Sequence, residues 1–279
     1  MNIPFSFKDF EDYSSIFDIQ LMTQLSELDI VKKFQSIDNS GYSFLLPFVG
    51  SNYERKKVLI VAESKYVTLT TEDWECGLAF YNWMLDCLLQ KEKKVAINDS
   101  ILAFIKAHPQ QLYTLEPFSE YYKYLNGKRE QSCKSWPFLA IINVIKEKLN
   151  YTEEQALMSF AFSNFFLIPV ICTSTYNGFN KTNFNKWISI RCKSRKEKRI
   201  LWNTYTELCS MHLDTIIDTI KPELVLMVST EAKKWYSGKY ESKIVSLYHS
   251  SDNRWWYREM KGTGKRCVDI CGEQIEKLK

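Results

Sequence analysis

Residues 57–63 read KVLIVAE, five consecutive apolar residues closed by charge at both ends. A short run this rich in Val and Ile fits a strand covered on both faces, since an exposed face would show polar residues at alternate positions. Strands of that kind belong to parallel sheets, whose crossover helices cover them. Residues 224–229 (LVLMVS) and 243–248 (KIVSLY) repeat the pattern, and residues 160–170 supply a further strand candidate.

Helical stretches separate these runs. Residues 13–34 carry apolar positions at helical spacing, and DNSG at 38–41 breaks the pattern. A helix is predicted over 74–89, and residues 91–150 look helical but irregular, with IINVIKEKL ending at Asn150. Residues 200–220 predict a long amphipathic helix that Pro222 stops; 230–235 open another, and 271–279 form a last one. Alternation of this kind predicts an α/β fold, three-layer α/β/α, with a central, mainly parallel sheet of about four strands. No repeat or low-complexity linker divides the 279 residues. A single domain is expected, with an N-terminal helical extension (about 1–40) and a helical insertion (about 91–150). At this size roughly three quarters of the unfolded surface can be buried, so no metal or disulfide staple is required.

The net charge of +4 permits a polyanionic partner without demanding one. Basic residues cluster at 191–199 (RCKSRKEKR), six of them with one acid, as a solvated helix start or a phosphate-contacting patch in which Lys193, Arg195 and Lys198 are the candidates. Aromatics make up 15%, enough for a Phe- and Tyr-rich core with a few left to stack on a planar ligand. No apolar run approaches the ~18–20 residues a bilayer span needs. The N-terminus carries acids and lacks an apolar signal core, so a cytoplasmic protein without membrane contact is expected, with a monomer favoured. The eight cysteines form no C-x-x-C pair and the three histidines are scattered. No metal or other cofactor is therefore expected, and the thiols are expected to be reduced.

In open parallel sheets ligands bind beyond the carboxyl ends of the strands. That rule singles out residues 63–66, Asn164 and residues 249–253. In this order they resemble the uracil-DNA glycosylase superfamily. LPFVGSNYERKKVLIVAESKY at 46–66 is similar to that family's Pro/Gly loop, buried strand and following signature of the type G-E-A-P-G, with Glu63 retained. FSNFF at 162–166 resembles the block whose Asn reads the base, KPELVLMV at 221–228 the segment before the last block, and YHSS at 248–251 the final H-P-S block. The glycines and proline of the first signature are gone, and Ser250 stands where the last block has Pro. Cys209 matches one ligand of the iron–sulfur cluster found in some members, but Ile168 stands where another would be and the N-terminal C-x-x-C is missing.

The resemblance implies a DNA base-excision glycosylase that hydrolyses the N-glycosidic bond of uracil or another deaminated base, on single-stranded or duplex DNA. Bond cleavage builds positive charge on the sugar and negative charge on the departing base. Glu63 would stabilise the first and orient water, and His249 would donate to the base as charge develops. The alternatives are a Glu63 that caps a helix or pairs with Lys65, and a structural His249. Asn164 offers both a donor and an acceptor to a base edge, or holds a loop. Tyr66 and Phe165 are candidates to stack on or shape the pocket, or belong to the core. Ser64, Ser250, Ser251, Asn253, Arg254 and Trp255 are candidates for nucleic-acid contact, with the Arg254-Trp255-Trp256 run as a wedge or as a packed helix start. The competing function is a catalytically inactive nucleic-acid or nucleotide-binding module on the same fold. A serine hydrolase built on Ser64 or Ser250 with His249 ranks last, because no G-x-S-x-G elbow is present.

Overall fold

The computed structural model describes residues 16–34, 43, 45–63, 66–69, 74–89, 97–108, 112, 118, 121–122, 124–125, 127, 139–173, 192–248 and 256–279. Its strands are β1 (Phe48–Val49), β2 (Val58–Ala62), β3 (Tyr66–Leu69), β4 (Phe160–Asn164), β5 (Val170–Thr173), β6 (Leu224–Met227) and β7 (Ile244–Ser246). Its main helices are α1 (Ile19–Ser26), α2 (Asp29–Lys32), α3 (Trp74–Leu89), α4 (Asp99–Ala107), α5 (Leu139–Leu149), α6 (Glu153–Leu157), α7 (Arg195–Ile220), α8 (Thr230–Trp235) and α9 (Cys267–Glu276).

β2 lies in the middle of a five-stranded sheet ordered β1-β4-β2-β6-β7. Every residue of β2 is buried, as its unbroken apolar run requires. It pairs in parallel with β4, Val58 against Phe160 through Ala62 against Asn164, and with β6, Val58 against Leu224 through Val61 against Met227. β7 adds in parallel to β6. The mainly parallel α/β sheet is therefore present. It holds five strands instead of about four, because the short β1 pairs antiparallel with β4 through Phe48–Phe162 and Val49–Ala161. Phe48 stacks on Phe118 at 4.0 Å between ring centroids, which seals that side of the core with aromatic rings.

The helix predicted over 13–34 is broken. Phe17 bridges Gly50, Asp18 N–H donates to the Val49 carbonyl and Ser51 N–H to that of Ile16, so residues 16–18 are drawn alongside β1. The Asp18 carboxylate then caps α1 by accepting from Leu21 N–H. Leu28, with φ −63° and ψ 134°, separates α1 from α2. Residues 160–170 likewise form two pieces instead of one strand. Residues 165–168 bend away, Pro169 has no N–H to offer a ladder, and β5 begins only at Val170. β5 pairs in parallel with β3 in a separate two-stranded sheet.

α7 starts five residues before the predicted position of Ile200. Ser194 and Glu197 form a reciprocal capping box that carries the helix through the basic cluster. At its other end Lys221 takes a left-handed conformation, φ 47°, before Pro222, and Tyr53 donates to the carbonyl of Ile220. α9 begins at Cys267, four residues before its predicted start. Within 91–150 the described helices include α4 and α5. Among the described residues no helix is long and apolar enough to cross a membrane.

The approach of β1 to the turn before β4 leaves no space at Gly50. A Cβ there would lie 2.2 Å from the Met158 carbonyl oxygen, and backbone cannot swing aside as a flexible side chain can. Gly50→Ala should therefore cost about 1–3 kcal/mol as forced overpacking. Urea unfolding measures it, and an unchanged midpoint would show that β1 is free to shift.

Candidate functional site

From β2 the chain goes to β4 on one flank and then to β6 on the other. Strand order therefore reverses about β2, and the carboxyl end of β2 is where such sheets open a crevice. Glu63 is the first residue beyond that end. Its side chain is only 8% exposed, so the fold has taken an acid out of water. The carbonyls of Ala62 and Glu63 accept from Phe165 N–H and Phe166 N–H, both at 2.8 Å, which fixes the backbone under the acid. On the other flank Val228 N–H donates to the Val61 carbonyl at 2.9 Å and brings Ser229 up beside it.

Ser229 donates to Glu63 Oε2 at 2.6 Å. The same hydroxyl accepts from Ala232 N–H at 3.1 Å and is the N-cap of α8. Glu63 Oε1 is buried and has no hydrogen-bond partner among the described residues. Burial pushes the Glu63 carboxyl above its ordinary range; Ser229 opposes that shift, and the negative charge of Glu231 reinforces it. An acid in this state can take up a proton, or accept a hydrogen bond through the oxygen left over.

Asn164 is the register partner of Ala62, so it ends β4 where β2 ends. It is half-buried, and its amide makes no hydrogen bond among the described residues. The loop that follows is held from α7: Ile168 N–H donates to the Tyr205 hydroxyl at 3.0 Å. Cys209, one turn along, is fully buried with its thiol pushed up to about 12 by desolvation. Phe165, a candidate base-stacking residue, is 1% exposed and packs edge-on against Phe166 and against Tyr236. It belongs to the wall of the core beneath the site and presents no open face.

The structure thus brings Glu63 and Asn164 to the carboxyl ends of adjacent strands. Tyr66 opens β3, but its side chain lies outside the described residues, as do Ser64, His249, Ser250, Ser251, Asn253, Arg254 and Trp255 in full. Trp256 is fully buried, so it is packed in the core and is not available as a wedge. Sequence reasoning missed Ser229 and Tyr205. A serine placed between the apolar run 224–228 and the T-E-A that follows is an N-cap signal, and it marks Ser229. Tyr205 carried no signal beyond its place on the buried face of a helix.

Lys193, Arg195 and Lys198 lie before and within the first turns of α7, the first two exposed and the third half-buried. Glu197, the one acid there, has its carboxylate engaged by the N–H groups of Lys193 and Ser194, at 2.7 and 3.1 Å. None of the three cations makes an ion pair among the described residues. Cations at a helix amino end oppose its dipole, each at a cost of roughly 0.3–1 kcal/mol. A cavity of about 240 Å³, lined by Ile217, Asp218, Lys221, Tyr240 and Lys243 among others, lies by the opposite, amino ends of β6 and β7, away from Glu63. Among the described residues no three His, Cys, Asp or Glu are placed to hold a metal ion.

A carboxyl raised by folding contributes stability that is fully present below its ordinary value and is lost as pH rises through the raised one. Glu63→Gln should therefore raise the unfolding temperature above that raised value, with the gap closing on acidification. Thermal melts across pH measure this, and a gap independent of pH would mean that Glu63 titrates normally. Compared with known proteins, the chain matches no family model, no curated protein and no solved structure.

Proposed function

We propose that this protein is a DNA base-excision glycosylase that hydrolyses the N-glycosidic bond of uracil or another deaminated base. The observation that carries this reading is the nine-tenths-buried Glu63 at the carboxyl end of the central strand, with one oxygen fixed and the other without a partner among the described residues. Cleavage of the bond needs a group that stabilises the cationic sugar and orients a water. A carboxylate in a desolvated setting meets that need, because its field is weakly screened there. Asn164, at the end of the neighbouring strand, offers donor and acceptor to the edge of a flipped base. His249 takes the role of donor to the departing base, with Tyr66 beside the pocket. Ser64, Ser250, Ser251, Asn253, Arg254 and Trp255 contact the DNA. In this reading the protein is one three-layer α/β/α domain in the cytoplasm, and the 91–150 insertion is a helical cover. Lys193, Arg195 and Lys198, at the start of α7 and without an ion pair among the described residues, give the phosphate backbone a landing surface.

A nucleic-acid-binding module without chemistry is the second reading. The burial that raises Glu63 and the like charge of Glu231 favour it, since both oppose the ionised form that would stabilise a cationic sugar. One experiment separates the two. Single-stranded DNA containing uracil, where flipping costs least, should yield abasic sites with wild-type protein. Glu63→Gln should lower the rate by about 10²- to 10³-fold, the usual cost of removing one preorganised charge-stabilising group. His249→Ala should also slow it, and Asn164→Asp should change base choice more than stability. DNA binding without excision of any deaminated base selects the binding module. Activity that survives Glu63→Gln means that another carboxylate serves.

The role of α7 at the DNA backbone has its own measurement. Replacing Lys193, Arg195 and Lys198 with Ala should flatten the salt dependence of DNA binding, by a slope of about 0.7–0.9 for each phosphate no longer neutralised. An unchanged slope returns these residues to a solvated surface.

A further inference from the structure

We propose that Ser229 is the positioning residue of this site: its hydroxyl fixes Oε2 of Glu63 and leaves Oε1 as the single oxygen that meets a ligand, an inference that rests on the glycosylase reading. A hydroxyl has one proton to give. Ala232 N–H can only donate, and it occupies a lone pair of Ser229 Oγ at 3.1 Å. The hydroxyl proton is thereby left for Glu63, at an O···O distance of 2.6 Å, within the range of O–H···O⁻ bonds to an ionised acceptor. Ser229 is itself 2% exposed, and it is locked in place as the N-cap of α8. The carboxyl group is therefore held through one oxygen by a hydroxyl whose oxygen cannot move away without uncapping a helix.

The consequence is directional. A carboxylate free to rotate would present either oxygen to water, whereas this one presents Oε1 alone, and that oxygen is buried and unpartnered among the described residues. The other groups acting on Glu63 do not hold it. Glu231, on α8, faces it with like charge and disfavours ionisation. Asn164, at the end of β4, is uncharged. Among the described residues Ser229 is the group that favours the charged form, so its loss should be read directly in the ionisation of Glu63.

The test is a ¹³C-carboxyl NMR titration of the full chain, with Glu63→Gln identifying the Glu63 resonance. Ser229→Gly removes the hydroxyl while remaining a serviceable N-cap, and Ser229→Thr keeps the hydroxyl. The Glu63 midpoint should move upward in Ser229→Gly, by about a tenfold change in the ionisation equilibrium, which is typical of a hydrogen bond to a charged acceptor. It should return in Ser229→Thr. If glycine does not fold, Ser229→Ala is read in the same way. With uracil-containing single strands the same variants should show a fall in kcat with KM unchanged in Gly, and rescue in Thr. An unmoved midpoint in Gly, or a threonine that behaves like glycine, overturns the positioning role. Wild-type protein that excises no base overturns the glycosylase reading instead, and the titration then judges Ser229 by itself.

Discussion

Everything in this molecule hangs from the hydrogen bonding of β2 on both of its edges. Its register with β4 and β6 sets where each neighbour ends, and hence which residues emerge together at the carboxyl side. Both faces of β2 are buried and apolar, so the run itself does not distinguish one register from the next; a slip of one residue is costly because it would draw a terminal charge into the sheet. The ends are where charge is found: Lys57 before the strand and Glu63 after it. The Lys57 carbonyl begins the pairing with β6 by accepting from Glu223 N–H. The acid is stranded at the far end by the length of the apolar run that precedes it.

Glu63 shows how a fold and a site compete. Hydrophobic burial is what stabilises the sheet, and the same burial penalises the charge. Ser229 restores part of the loss with one hydrogen bond, and Glu231 takes part of it away. The position is neither a satisfied core nor a solvated surface. Such unfinished positions are where proteins keep chemistry, because a ligand can complete what the chain leaves open.

How much of this was legible in the sequence follows from the range of the forces involved. β2, β6 and α3 were legible because each is a single periodicity uninterrupted by anything distant. So was the place of Glu63 and Asn164 at strand ends, which needs only the polarity of the strands. The split of 13–34 was not legible, since it depends on Gly50 and Val49, residues far along the chain, claiming residues 16–18 for the sheet. The early start of α7 was written in Ser194 and Glu197, three residues apart, and was obscured by the charges between and around them. The bond from Ser229 to Glu63 joins residues 166 positions apart, and no local pattern carries it. That Phe165 faces the core was likewise settled by Tyr236 and Phe166 around it, with nothing in the ring itself to decide the matter.

The division between the two sheets has a consequence for how the site can change. β2 and β4 part after Ala62 and Asn164, and the same two segments of chain meet again, still parallel, at Tyr66 and Val170. One side takes four positions to make the passage and the other takes six. The surplus is two residues, an even number, so the alternation of faces resumes in phase. The interval works as an expansion joint. Substitutions of similar volume within 165–169 bear on the wall around Glu63 and Asn164, while the register of the central sheet is fixed on the near side of the joint. A scaffold arranged in this way can vary what it recognises without re-solving how it folds.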